Sequence, residues 1–488
     1  MKTNKYKSTI VVLLASFGSI AQTQQFTTAG IHTFTAPDGV LSVKAEAIGA
    51  GGGGGRVRGS SARESGGGGG GAYARGIVNV IAGNTYTLGV GAAGVQNDNA
   101  AQHGGNSYFG SASSSDAALT VRAEGGKTLI LSDGSNGTGA QGGKAANSVG
   151  NRAVYDGGNG GNTSSNDYGG GGGGAAGSNG AGGTGGQGTA GMGTASFGGN
   201  GGAGGVSGGD DDGVEGYNYG GGGGGARKSF SGSTVNRFGA SGAIGMVVVS
   251  WSTISGFTPA AVCAGSGEVI TVTGTNFTFI DSVSVNGTNV PFTAIDNTQF
   301  SFAVPAGVTS GAIIAYTENG NSISLNALEV YDYAVSVSLS GATLTANYTG
   351  GNGATYQWRN CISGSAISGA VGATYTPTQN GLYAIDVTEN GCVASSECIT
   401  VASLDITSLT EDVFMVYPNP ASGMCVVETS GMVANQIVLI DLNGKELNQV
   451  IPAGFVSELS LEGINTGMYF IRVNAGDKTY VKRLSVIK

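Results

Sequence analysis

The chain has 488 residues, 95 of them Gly, with 11% charged residues and a formal net charge of -9. Glycine at roughly 19%, against a usual ~7%, and charge at less than half the usual ~25% exclude an average globular composition for much of the chain. The acidic balance shows no clustered basic surface and argues against a nucleic-acid partner. Two His leave few groups for proton transfer near neutral pH.

At the start, Lys2, Lys5 and Lys7 precede an apolar run from Ile10 to Phe17 and then Ser19 and Ala21. This is the pattern of a signal peptide, residues 1–21, with cleavage expected after Ala21. The run is too short to span a bilayer, and no later stretch holds ~20 consecutive apolar residues, so no transmembrane segment is expected.

Residues 22–252 hold nearly all the glycine. Alternating stretches at 26–48 and 71–94 predict strands joined at Pro37-Asp38-Gly39 and Ala82-Gly83-Asn84-Thr85, with GAIGMVVVSW at 242–251 closing the region. Between these strands the glycines recur in threes: GGN GGA GGV SGG at 198–209, and Gly177, Gly180, Gly183 and Gly186. A period of three fits a polyproline-II-type helix with three residues per turn. Its outward backbone groups need partners, so the pattern predicts a packed bundle of polyglycine-II type, with a floppy loop array as the alternative. FTAPDGV, the GAGGGGG that follows it, GGGGGGAYA and GGNSYFG resemble the glycine-rich domains of bacterial surface proteins and some phage tail-fibre adhesins. That resemblance implies recognition through exposed loops on a rigid scaffold.

Few residues here could carry chemistry. Lys127 and Lys144 follow glycine pairs without a helix-forming sequence after them, so no phosphate-binding loop is expected. Asp210, Asp211 and Asp212 offer hard oxygen ligands of the kind that hold Ca²⁺, but without EF-hand spacing; a solvated acidic turn is the alternative. Tyr155, Tyr168, Tyr217, Tyr219 and Phe230 interleave with polar glycine loops and are candidate ligand contacts, or else caps on glycine layers. Glu46 and Glu124 are the carboxylate pair an enzyme reading would use. His32 and His103 are framed by no catalytic motif and are expected to be structural or at the surface.

Residues 253–332 change to short alternating strands with regular turn signals. FTP at 257–259, ITVTGTNF at 270–277, SVSVNG at 282–287 and SGAIIAYTENG at 310–320 resemble an IPT/TIG module, which implies an immunoglobulin-like sandwich used as spacer or interaction unit. Residues 333–402, with ATYQWRNC at 354–361 and NGLYAIDV at 380–387, resemble the Ig-like modules of Bacteroidetes extracellular proteins, and Trp358 and Tyr383 are expected in its core. Five cysteines are an odd number. A disulfide among Cys361, Cys392 and Cys398 is expected, with pairing open and a bridge from Cys263 to an adjacent module also open.

After a linker at 403–412, residues 413–488 alternate in short runs separated by Gly, Asn-Gly and Asp turns, predicting a small β-sandwich. Tyr417-Pro418-Asn419-Pro420, DLNGKEL at 441–447 and INTGMYFIRV at 464–473 resemble the C-terminal sorting domain of the type IX secretion system of Bacteroidetes. The resemblance implies export by that machinery, then release or surface attachment.

The expected fold is all-β: Ig-like sandwiches preceded by a β framework with glycine-rich tracts. The expected function is a secreted or cell-surface, non-enzymatic adhesin-like protein whose partners are glycans, cell surfaces or matrix proteins, with no cofactor beyond Ca²⁺ at the acidic run. A structural matrix or filament component and an extracellular glycan-active enzyme are the alternatives.

Overall fold

The computed structural model describes residues 22–59, 62–96, 101–110, 120–129, 137–163, 168–194, 196–206, 209–229, 236–402, 413–476 and 478–488. The signal-peptide segment with Ala21, and Phe230, lie outside them. The chain is nearly all β, and among the described residues no helix is long and apolar enough to cross a membrane. Two compact units form. The first runs to Tyr333 and adds Glu389–Cys392; the second takes Ala334–Thr388 and Val393–Lys488.

The first unit starts with a sandwich. One antiparallel sheet runs in the order Thr23–Phe26, Met246–Ser250, Ser42–Ile48, Tyr73–Asn79, Ala153–Tyr155; the other runs Val121–Ala123, Ser107–Phe109, Thr85–Val90, Gly30–Thr35. Alternation along the strands divides their side chains. Val247 and Val249 face a core with Phe34, Leu88, Phe109 and Trp251, while Met246 and Val248 face the opposite way with Ile48 and Tyr73 onto Ala175 and Ala176 of the glycine region. The expected turns are present, with Gly39 at φ +73° and Gly83 at φ +78°. Their flanking strands do not pair with each other, as the sequence suggests; each turn carries the chain from one sheet to the other, because Phe34 and Val43 must meet across the core.

The glycine tracts are ordered by their backbones. Gly49, Gly52 and Gly55 donate N–H bonds to Ala72, Gly69 and Gly66 carbonyls at 2.9, 2.8 and 3.0 Å, while Gly51 and Gly54 donate to Ala243 and Ala240. In the next tract Gly67 and Gly70 donate to Gly161 and Gly158, Gly68 and Gly71 to Gly223 and Gly220, and Gly69 and Ala72 to Lys127 and Glu124. Each tract therefore turns to a new neighbour with every residue and returns after three. This is the polyglycine-II bundle that the period predicts, and it meets the requirement that buried amides be paired. The same spacing excludes side chains: a Cβ on Gly68 would lie 2.1 Å from the Gly52 carbonyl oxygen, and one on Gly173 2.0 Å from that of Gly158. Of the glycines at 177–186, Gly177 and Gly180 form the turn between two tracts, and Gly183 and Gly186 face the next one. At outer tracts the third residue becomes Asn. Asn159, Asn162 and Asn200 accept N–H bonds from Gly142, Gly139 and Gly193 through their side-chain oxygens.

Below the sandwich, the 253–332 module folds as two sheets, one ordered Thr253–Thr258, Val269–Thr275, Gln299–Ala303, Thr293–Ala294, the other Ala261–Cys263, Ser322–Tyr331, Gly311–Thr317, Ile280–Val285, Thr288–Val290. Asn286 and Gly287, at φ +46° and +78°, close a tight hairpin of the type Asn-Gly favours. Its turn at 317–322 docks on the sandwich above. Leu41 and Lys44 donate to the carbonyls of Asn321 and Asn319, Ile323 donates to Gly39, and Ser252 Oγ donates to Gly320 O at 2.8 Å. Gly320, at φ +107°, sits where a Cβ would be 2.1 Å from Ser42 O.

In the second unit, Trp358 and Tyr383 are buried as expected, with Trp358 Nε1 donating to Gly372 O and Tyr383 Oη to Gln379 O. Of the cysteines, Cys361 pairs with Cys398 and Cys263 with Cys392; Cys425 is free and buried, and burial pushes its thiol up to about 11. Residues 413–488 form a seven-stranded sheet in the order Glu446–Val450, Gln436–Ile440, Gly467–Ala475, Lys478–Val486, Met415–Ser422, Met424–Glu428, Val456–Ser460. Pro418 and Pro420 cannot donate to a ladder. Asn419 between them supplies the missing pairing, donating from Nδ2 to Arg483 O and accepting from Ser485 N–H, both at 2.9 Å.

Candidate functional site

The directions of the tracts decide which loops meet. Strand Ser42–Ile48 meets the 317–322 turn at its start and runs directly into the tract beginning at Gly49. Residues 49–55 therefore climb away from the sandwich, and 66–72 return antiparallel. Residues 220–226 climb parallel to 49–55, since Gly223 and Ala226 donate to Gly52 and Gly55. At about 3.1 Å per residue the seven-residue climb is roughly 20 Å. The segments 56–59, 62–65, 209–211, 227–229 and 236–237 and the residue Gly188 thus gather at one end, the tip, and the turns at 177–180 and 217–220 lie at the base beside the sandwich.

The tip is basic. Arg227 and Lys228 pair with Glu64 and Arg63 in a two-residue ladder, and Val57 pairs with Arg237, so two loops about 170 positions apart lie side by side. Arg56, Arg58, Arg63, Arg227, Lys228 and Arg237 are six of the 22 Lys and Arg in the chain. Arg227 Nη1 donates to Gly209 O at 2.7 Å and Val206 O at 3.2 Å, and Lys228 Nζ donates to Gly59 O. Those two buried cations hold the loops together, whereas Arg58, Arg63 and Arg237 are half-buried. In the sequence RVR and RK read as isolated pairs; only the parallel pairing of 49–55 with 220–226 brings them together. The basic cluster that the sequence did not show therefore exists at this end.

The acidic run lies in the same place. Asp210 Oδ1 accepts the Ser229 N–H at 2.9 Å, Asp212 Oδ1 accepts the Phe238 N–H at 2.7 Å, and Asp211 bridges Arg227 through its backbone. Among the described residues no three His, Cys, Asp or Glu side chains form a group able to hold a metal ion. The Asp210 and Asp212 carboxylates thus each accept a backbone N–H from a neighbouring segment.

The four tyrosines separate. Tyr168 is exposed at the tip, its ring against Gly188, where a Cβ would lie 2.9 Å from Cδ1. Tyr217 is exposed at the base. Tyr155 stacks on Tyr73 with centroids 6.1 Å apart, and both it and Tyr219 pack against the cluster of Ile48 and Met246. Phe238, half exposed, joins Tyr168 at the tip.

The two carboxylates of the enzyme reading are already engaged. Glu46 accepts the Tyr73 hydroxyl and pairs with Lys44 at 3.5 Å; burial first, then the Glu46 charge, push Tyr73 well above the usual tyrosine range. Burial alone would raise the Glu124 carboxyl, but bonds from Lys127 at 2.7 Å, the Lys144 N–H at 2.7 Å and Asn147 at 3.1 Å outweigh it and hold the group below its ordinary value. The histidines are structural: a His32 ring nitrogen bonds Thr28 O, and His103 Nδ1 accepts the Thr128 N–H at 3.0 Å.

Three family profiles match the chain: a glycine-rich domain over residues 27–252, an IPT/TIG domain over 252–331 and a secretion system C-terminal sorting domain over 415–488. The chain carries these three domains. The sorting domain indicates a secreted or outer-surface protein and implies interaction with the type IX secretion machinery. No curated protein matches the sequence. Among solved structures, one described as a complex with xylogluco-oligosaccharide shares 14% identity, covering 47% of this chain and 59% of that one, with TM-score 0.22. The N-terminal eight Ig domains of Down Syndrome Cell Adhesion Molecule share 13%, covering 46% and 39%, TM-score 0.22, and the I9–I11 tandem of titin 12%, covering 46% and 96%, TM-score 0.17. The chain spans about 59% of the first of these structures.

Proposed function

We propose that this chain is a non-enzymatic recognition protein of the cell exterior, in which the glycine bundle is a rigid head and its tip is the binding end. The observation that carries the reading is the period-three hydrogen-bond lattice, which fixes loops from distant parts of the chain at the end of the first unit farthest from the IPT/TIG domain. Binding loops on a rigid scaffold lose little entropy when they engage a partner. Glycans, cell surfaces and matrix proteins are the partners in view. The test is binding of the mature chain to whole cells, a glycan array and matrix proteins, beside a Tyr168→Ala, Phe238→Ala variant of equal melting temperature. Binding lost in the variant supports the reading. No binding, or binding unchanged by the tip substitutions, overturns it.

A structural role is favoured by one feature, the open lateral edge of the bundle, where Ala181 and Thr184 are exposed in an outer tract. It predicts concentration-dependent light scattering and filaments by electron microscopy of the same mature chain.

A further inference from the structure

Taking the tip as the binding end, we propose that its ligand is an anionic glycan, one bearing carboxylate or sulfate groups, bound through Arg63 and Arg237 beside the exposed rings of Phe238 and Tyr168. Three observations lead there. Six of the chain's 22 basic residues, three of them half-buried, meet at this end against four acids, Glu64 and Asp210 to Asp212, in a protein whose net charge is -9. Arg227 and Lys228, buried, donate to the carbonyls of Val206, Gly209 and Gly59, so these described residues are held together before any ligand arrives. Of the acids at this end, Asp210 accepts the Ser229 N–H and Asp212 the Phe238 N–H, while Glu64 and Asp211 lie opposite Arg227. The half-buried guanidiniums thus stand on a preset frame.

The residue types narrow the ligand. Guanidinium groups match planar carboxylates and sulfates with two parallel hydrogen bonds, which an ammonium group does not. Phe238 and Tyr168, exposed by 50% and 39%, offer apolar ring faces of the kind that pack on sugar rings. Tyr168 belongs to the same end, because Gly169 donates to Gly205, whose own Cβ position touches Arg227 Cβ at 3.0 Å.

The experiment is biolayer interferometry of the mature chain over immobilised alginate, heparin, dextran and duplex DNA. The expected result is binding to alginate or heparin and not to dextran, weakening as salt rises from about 0.05 M to about 0.5 M. Arg63→Gln with Arg237→Gln should lower the affinity by roughly tenfold or more at unchanged melting temperature, and the Lys pair at the same positions should fall between. Equal binding to dextran, lost on Phe238→Ala but not in the Gln pair, overturns the anionic class and leaves the tip as the binding end. Stronger binding to DNA than to either acidic glycan overturns the glycan class. Binding to none of the probes overturns the inference, while the cell-binding assay independently decides the reading on which it rests.

Discussion

The glycine bundle and the IPT/TIG sandwich beneath it sit in one compact unit and are held together by opposite means. The sandwich buries side chains: Ile270, Val272, Phe277 and Phe300 interlock, with Phe277 edge-on to Phe300 at 5.0 Å, and its backbone bonds follow the ladders. The bundle buries backbone. Its interior holds almost no side chain, and its cohesion is a lattice of N–H to carbonyl bonds near 2.9 Å in three directions. Glycine loses more freedom on ordering than any other residue. Order is reached here because the interior amides find acceptors, carbonyls for most and the Thr128, Ser107 and Thr163 hydroxyls for Gly53, Gly91 and Gly137, and the tracts pack at distances that leave no room for a Cβ. A fold can thus dispense with a hydrophobic core where the backbone is bare enough to pair on three sides.

The contrast predicts opposite responses to size. Phe300→Ala should cost the sandwich about 3–5 kcal/mol by leaving a cavity. Adding one methyl group in Gly68→Ala should cost the head about 4 kcal/mol or more, because the clash is with backbone that cannot rotate away. Ala181→Ser in the exposed third position of an outer tract should be within about 0.5 kcal/mol of neutral. Thermal unfolding of the three variants checks all of this, and a tolerated Gly68→Ala would sink the lattice account.

Next in size is the covalent contribution. Cys361 and Cys398 close a segment with a sequence separation of 37. Removing both as Ser should destabilise their module by about 3–4 kcal/mol, read by denaturant unfolding, while leaving hydrogen exchange in the bundle unchanged. Smaller again is the edge of the lattice. Asn159→Ala deletes the acceptor of the Gly142 amide and should cost about 1 kcal/mol, with faster exchange confined to Gly142.

The smallest effect is set by pH. Glu124 has its folded pKa below its ordinary value. Its contribution is therefore complete above the unfolded carboxylate pKa and is lost as pH falls through the folded one. The melting temperature of the first unit should drop on acidification through that range, and Glu124→Gln should flatten part of the drop. An unchanged slope would show that Lys127, Lys144 and Asn147 do not favour the charged form.

Much of the molecule was legible in order of residues alone. The alternation in 253–332 and 413–488, the Asn-Gly turns and Trp358 followed from local rules of period and turn geometry, which depend on neighbours in sequence. The period of three in the tracts was legible for the same reason. Three features were not. The turns at Gly39 and Gly83 were visible, but which sheet each flanking strand joins depended on Phe34 meeting Val43 across the core. The pairing of Cys263 with Cys392 joins residues 129 positions apart and depended on how strands met in space. The basic tip, finally, needed Val57 and Arg63 to meet Arg237 and Lys228, which the parallel climb of two glycine tracts decided. Sequence by itself determined how each segment of this protein is built, because period and turn chemistry act over a few residues; only the tertiary structure decided which distant segments share a surface, because that is set by the lattice of contacts among them.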